Sequence, residues 1–309
     1  MPASFDGNDG NDGNSANAGG GGNATSASGG WYFADRVNLP LATEPDTGPN
    51  APTPTKMIGQ LATINVPLFP DRNWSAEWYS WLALNEFAAT PLSSIDPHTQ
   101  PTWPSWVPYP PPANWSTLNQ QVQVQTEVTD LVTAAMEERA DAMAEILSQA
   151  DEFISYFLNM MTARPGAYPQ TAKVLAIASL VGTFVAMYFK DLYRRPRPSQ
   201  LCPALLPPIE VPGHASFPSG HSTQAHLMAL SMNEVLNGLP QQSTMVDDLW
   251  TLADRIARNR EIAGLHYPSD TAAGVAIAQT VITLLMAPTG TGTKTKFQQA
   301  VAYATEEWI

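Results

Sequence analysis

From Ser116 onward, apolar residues recur at helical spacing and are punctuated by Pro and Gly. The stretch "STLNQQVQVQTEVTDLVTAAMEERADAMAEILSQADEFISYFLNMMTA" predicts a long helical run, with Ser116 as N-cap and Pro165 as its stop. Further helices are predicted over about 169–193, 220–237, 244–264, 271–287 and 294–307. Little of the chain alternates polar and apolar residues as a strand does. Upstream the pattern changes. Residues 31–115 are rich in Pro and Trp and predict an irregular wrapping arm with one helix, Ser75–Thr90. Residues 1–30 are Gly, Asn, Ser and Asp with almost nothing to bury, which predicts a disordered tail. Its "GNDGNDGN" repeat lacks the long periodic array of a calcium-binding solenoid. The expected fold is all-α: a helical bundle over 116–309 that forms one domain with the arm.

Charge narrows the function classes. With a net charge of −13 and a pI near 4.6, general attraction to nucleic acid or an anionic membrane is not expected. Against that background Lys190, Arg194, Arg195 and Arg197 place four of the fifteen Lys and Arg in eight residues. The single cysteine, Cys202, excludes an internal disulfide. The N-terminal residues show no secretory signal. The most apolar runs, Val174–Phe189 and Gly274–Pro288, fall short of the roughly 18–20 residues of a membrane span. The expectation is a soluble, cytoplasmic protein with no membrane partner, export and homo-oligomer formation being left open.

Three segments carry candidate chemistry: "KDLYRRPRP" (190–198), "PSGH" (218–221) and "NREIAGLHYPSD" (259–270). Lys190 ends an apolar helix, and Arg260 lies between core-like stretches. Where such helix ends meet, Lys190, Arg197 and Arg260 become partly desolvated cations that require an anion, and arginine forks suit a tetrahedral oxyanion. Ser219 and Gly220 open a helix, whose free N–H groups and dipole favour the same anion. Asp270 can orient the His266 ring and raise the basicity of its opposite nitrogen. His266 is therefore the candidate nucleophile or metal-bonded group, and His221, just past the turn, the candidate general acid/base.

Lys-x6-Arg-Pro, Pro-Ser-Gly-His and Ser-Arg-x5-His-x3-Asp, in that order, resemble the signature of the type 2 phosphatidic acid phosphatase and vanadium-dependent haloperoxidase superfamily. The only departure is Asn259 in place of the leading Ser. The gaps of 19 and 37 residues between the motifs are also similar, and the motifs span about a quarter of the chain. The resemblance implies a helical bundle whose pocket holds vanadate or phosphate. Lys190, Arg197, Ser219, Gly220 and Arg260 would hold the oxygens, His266 would bond the vanadium or phosphorus, and His221 would move protons.

Two activities fit one such pocket, because vanadate readily adopts the five-coordinate geometry of a phosphoryl-transfer transition state. His214, in "HASFPSGH", resembles the second histidine of vanadium bromoperoxidases. That resemblance favours a vanadate-dependent haloperoxidase acting with hydrogen peroxide, halide (bromide above others) and a small organic acceptor. The alternative is a soluble acid phosphatase working through a phosphohistidine, and a third reading is a non-catalytic anion-binding protein. His226 and Cys202 read as packing residues, "FLNMMTA" as core, and Arg194 and Arg195 as rim charges.

Overall fold

The computed structural model describes residues 68–288 and 292–309. The expected tail, and the arm as far as residue 67, lie outside the described residues. From Asp71 onward the chain forms one compact unit built of ten α-helices: α1 (Ala76–Phe87), α2 (Leu118–Glu137), α3 (Arg139–Ser148), α4 (Ile154–Met160), α5 (Pro169–Tyr193), α6 (Pro198–Leu201), α7 (Gly220–Leu236), α8 (Gln242–Ile262), α9 (Pro268–Leu285) and α10 (Lys296–Thr305). No strand occurs among the described residues, and the fold is all-α.

The core is a layered helix bundle around α7, which packs against α5, α8 and α9, while α5 also carries α1 and α10. Apolar residues at helical spacing supply the contacts. Val174, Ile177, Val181, Val185 and Phe189 of α5 are fully buried, as are Leu227, Met228, Met232 and Val235 of α7 and Ile277 and Val281 of α9. Pro169 starts α5 at a position where a missing N–H costs nothing. Arg194 ends α5 in the left-handed region at φ 45, its N–H closing on the Lys190 carbonyl. The chain thus leaves α5 just after Lys190 and turns at once into the Arg-Pro segment.

The run predicted from Ser116 to Pro165 is three helices, and the reasons are tertiary. The N-cap is Thr117, not Ser116: its hydroxyl accepts from Gln120 N at 3.3 Å, and the Gln120 side chain accepts from Thr117 N at 3.2 Å. Between α2 and α3 the Arg139 guanidinium is anchored on the carbonyls of Ile262, Leu205 and Leu206 at 2.8–3.1 Å. The end of α3 gives its last carbonyls to the functional site, as described below. Apolar periodicity continues across both breaks, so pattern alone does not reveal them.

Membrane-span length needs a correction. Pro169–Leu201 contains an 18-residue window of mean hydropathy 1.8, which is long and apolar enough to cross a membrane by length and composition, and 61% of that window is buried in the bundle. The expectation that no segment reaches span length fails because the apolar run was bounded at Val174–Phe189, whereas the helix extends beyond it at both ends.

α7 and α9 approach so closely that only glycine fits at 274. A Cβ there would lie 2.8 Å from Ser222 Cβ and Oγ and 2.9 Å from the Ser219 carbonyl. Gly274→Ala is expected to destabilise the protein by about 1–3 kcal/mol through overpacking, as read from chemical denaturation midpoints. An unchanged midpoint would contradict the close approach.

Candidate active site

The ends of α5, α7 and α8 meet around a cavity of about 140 Å³ whose lining includes Lys190, Arg197, His214, Gly220, His221, Arg260 and His266. Residues from three separated sequence segments therefore share one small space, of the size that takes a single small molecule.

His266 follows Leu265 on the short link from α8 to α9. Its Nδ1 lies 3.1 Å from Asp270 Oδ2, and Arg197 NH1 lies 3.0 Å from its Nε2. An ionised Asp270 only accepts, so Nδ1 carries the proton and the Nε2 lone pair faces Arg197. Burial, with Arg197 next, holds the His266 pKa well below the ordinary imidazole range despite the bond to Asp270. The ring is neutral, and its Nε2 lone pair is engaged by Arg197 NH1.

Asp270 is fully buried. Burial alone would raise its pKa, but Arg195 and the His266 and Ser216 hydrogen bonds reverse that, leaving the carboxyl well below the usual carboxylate range. Its Oδ1 accepts from Arg195 NH1 at 2.8 Å, and its Oδ2 accepts from Tyr267 N at 3.1 Å and from the Ser216 hydroxyl.

The cations are positioned differently from one another. Lys190 points its Nζ at the carbonyls of Ala215 (2.9 Å), Ser216 (2.9 Å) and Pro218 (2.6 Å) and staples the loop ahead of α7, while burial, with Arg197 next, pushes its pKa well below the ordinary lysine range. Arg197 is fixed by His214 O at 3.0 Å and Leu265 O at 2.9 Å. Arg260 donates NH2 to Ile146 O at 2.8 Å, while its Nε and NH1 are buried with no hydrogen-bond partner. Burial pushes the pKa of both guanidiniums down to about 10, which leaves them charged at neutral pH. A buried fork with two idle donors beside a neutral imidazole fits an oxyanion.

His221 begins α7 with its Nε2 2.9 Å from Gln149 O and its ring against Phe153 at 5.0 Å. A carbonyl only accepts, so Nε2 carries the proton in the neutral ring and Nδ1 is the basic nitrogen. Burial, then Arg260, pushes its pKa down to about 3. Asn259, the departure from the motif, faces away from the cavity: its Nδ2 bridges Glu145 and Gln149 at 2.9 Å each, bracing the segment that holds His221.

Gly220 lines the cavity, and a Cβ there would meet nothing nearer than Lys190 Cε and Gln224 Oε1 at 4.0 Å. The N–H groups of Gly220 and His221, in the first turn of α7, have no intrahelical acceptor. Ser219 stands apart from the cavity lining: its N–H is taken by Asp270 O at 2.9 Å and its Oγ caps Ser222 N at 3.3 Å. It shapes the turn rather than facing the anion. His226 is buried between Ser222 O and Asp254, away from the cavity.

Sequence reasoning missed Arg195. Read as a rim charge, it is a buried guanidinium that salt-bridges Asp270 and Glu127 and lies 3.7 Å over the Tyr267 ring. It also missed Glu127, although a charge in register with the buried Gln120, Leu131 and Ala134 of α2 was a legible signal.

With Asp270 more acidic in the folded protein than in the unfolded chain, its contribution to stability is complete above the ordinary carboxylate pKa of about 3.9 and is lost as pH falls below it. Asp270→Asn should therefore be less stable at neutral pH and lose less stability than wild type between pH 5 and pH 3. Parallel pH profiles in denaturation would contradict the buried ion pair.

Comparisons with known proteins agree with this geometry. Residues 171–292 match the PAP2 superfamily model. The chain is 36% identical over 108 residues to the decaprenylphosphoryl-5-phosphoribose phosphatase of Mycobacterium tuberculosis (strain ATCC 25618 / H37Rv), covering 35% of this chain and 55% of that protein. It is 31% identical over 117 residues to the protein of the same description in Mycolicibacterium smegmatis (strain ATCC 700084 / mc(2)155), covering 36% and 59%. The chain thus spans a little over half the length of these curated relatives.

Two expectations are corrected. The relatives are phosphatases, which overturns the haloperoxidase reading. His214 lines the cavity, with its ring Nδ1 3.0 Å from Arg197 NH2 and its carbonyl taking Arg197 Nε, so it braces the guanidinium. The soluble, cytoplasmic expectation also falls, since Pro169–Leu201 has span length and apolarity and the relatives are named for a polyprenyl-linked substrate. The stretch 171–292, with the histidines and arginines it gathers around one cavity, is a PAP2 superfamily domain.

Proposed function

We propose that this chain is a phosphatase that hydrolyses phosphomonoesters through a phosphohistidine on His266. The observation that carries the reading is the pairing of a neutral, Asp270-oriented His266 with the two idle, buried donors of Arg260. The phosphoryl oxygens lie against Arg260, Arg197 and the first-turn N–H groups of α7. Arg197 NH1 leaves His266 Nε2 for a phosphoryl oxygen, freeing the lone pair for attack on phosphorus.

The incoming anion offsets Arg260, a cause of the low His221 pKa, so substrate binding raises the proton affinity of His221 and equips it as general acid for the leaving oxygen. In the second step the same ring takes a proton from the water that releases phosphate. The cradle also suits vanadate, here as a transition-state-like inhibitor rather than a cofactor. The relatives' name makes a phosphorylated sugar on a polyprenyl-phosphoryl carrier the first natural substrate class to test.

The test is hydrolysis of p-nitrophenyl phosphate, an alkyl phosphate and a polyprenyl-linked sugar phosphate, with and without vanadate. Vanadate is expected to inhibit, and His266→Ala to abolish turnover. His221→Ala should slow phosphoenzyme formation from the alkyl ester by about 10²–10⁴-fold and from the nitrophenyl ester, whose leaving group needs no proton, far less. A His266→Ala variant with wild-type turnover, or equal His221→Ala losses in phosphoenzyme formation from both esters, would contradict the mechanism.

A further inference from the structure

Glu127 lies on α2, outside the stretch 171–292 that matches the superfamily, yet its carboxylate is buried behind the nucleophile's support. Its Oε2 accepts from Arg195 NH2 and from Ser269 Oγ, each at 2.9 Å, and its Oε1 accepts from Ser269 N at 2.7 Å. All three contacts are donors, so Glu127 is held as the ionised acceptor. Arg195 gives its other terminal nitrogen, NH1, to Asp270 Oδ1 at 2.8 Å and to Ser269 Oγ at 2.7 Å, and Asp270 holds His266.

Two buried carboxylates therefore share one buried guanidinium. With His266 neutral, Glu127, Arg195, Asp270 and His266 together carry one net negative charge. Arg197, in contact with His266 on the cavity side, supplies the balancing positive charge, so Glu127 completes a charge-matched buried cluster. The imidazole at the end of this chain of contacts is the group that becomes cationic when its Nε2 bonds phosphorus.

We propose that Glu127 is a positioning residue for phosphoryl transfer: acting through Arg195 and Asp270, it fixes the His266 ring and supplies the negative charge that offsets the cation formed there. The inference rests on the phosphohistidine reading. In the step it supports, the Nε2–P bond forms, the ester P–O bond breaks, and the leaving oxygen takes a proton from His221. The proton on His266 Nδ1 stays on the ring and is donated to Asp270 throughout. Water then attacks phosphorus and gives its proton to His221, the P–N bond breaks, and neutral His266 returns. Glu127 keeps its charge throughout.

The experiment is rapid-quench measurement of phosphoenzyme formation on the full chain with a ³²P-labelled phosphomonoester, alongside steady-state kcat and KM. Glu127→Gln keeps the shape and removes the charge. By the scale of losses when a group supporting a ligand histidine is removed, it should slow phosphoenzyme formation by about 10–100-fold with KM little changed. Glu127→Asp should recover most of that loss. Ser269→Ala, which removes the hydroxyl contacts and keeps both charges, should lose less than Glu127→Gln. A wild-type rate in Glu127→Gln, or a Ser269→Ala loss as large as that of Glu127→Gln, would overturn the inference while leaving the phosphohistidine reading standing. If Glu127→Gln does not fold, Arg195→Lys takes its place; it keeps the charges but loses the two-armed bridge, so a slowed rate is expected and a wild-type rate overturns the inference. A wild-type enzyme that forms no phosphoenzyme overturns both.

Discussion

Asp270 is the point on which the site turns. One buried carboxylate accepts from Arg195, His266, the Ser216 hydroxyl and the Tyr267 N–H, while its own backbone carbonyl takes the Ser219 N–H. It thereby joins the start of α9 to the turn ahead of α7 and to the Arg-Pro segment after α5. Burying such a charge is unfavourable unless every lone pair is used, and here the desolvation is offset by a guanidinium and a set of aligned donors. The same contacts settle the His266 tautomer. Stability and reactivity therefore rest on one group.

Around that anchor the cations have separate tasks. Lys190 faces the cavity but is saturated by three loop carbonyls, so it shapes the loop ahead of α7. Arg197 rests on the His266 lone pair and is held there by His214 and the Leu265 carbonyl. Arg260 is held at one terminal nitrogen by α3, and its Nε and NH1 are buried without a hydrogen-bond partner. The end of α3 serves twice, since Gln149 O also fixes His221. Helix carbonyls from outside the superfamily-matched stretch thus orient two of its charged or titratable side chains.

The helices were legible where pattern and punctuation agree. Pro169, Pro268 and the apolar stripes of α5 and α9 mark elements whose cores are buried as the spacing implies. The breaks after Glu137 and Ser148 were not legible, because Arg139, Arg260 and His221 impose them from a distance. The cavity residues were named from three short motifs, since those motifs end helices at the places where helix ends meet. Arg195 and Glu127 escaped, because a buried ion pair between distant segments leaves no local periodic trace beyond one charge on an apolar stripe. His214 was visible near the turn, and only coordinates show that it lines the cavity and holds Arg197.

The central claim is that a cationic cradle presents a tetrahedral oxoanion to His266 Nε2. A crystal structure of the protein with vanadate tests it most directly. The account predicts vanadium bonded to His266 Nε2, with oxygens on Arg197, Arg260 and the first-turn N–H groups of α7, and Arg197 NH1 moved off the ring. Vanadate bonded to His214 or His221, or bound outside this cavity while His266 keeps its contact with Arg197, would contradict it.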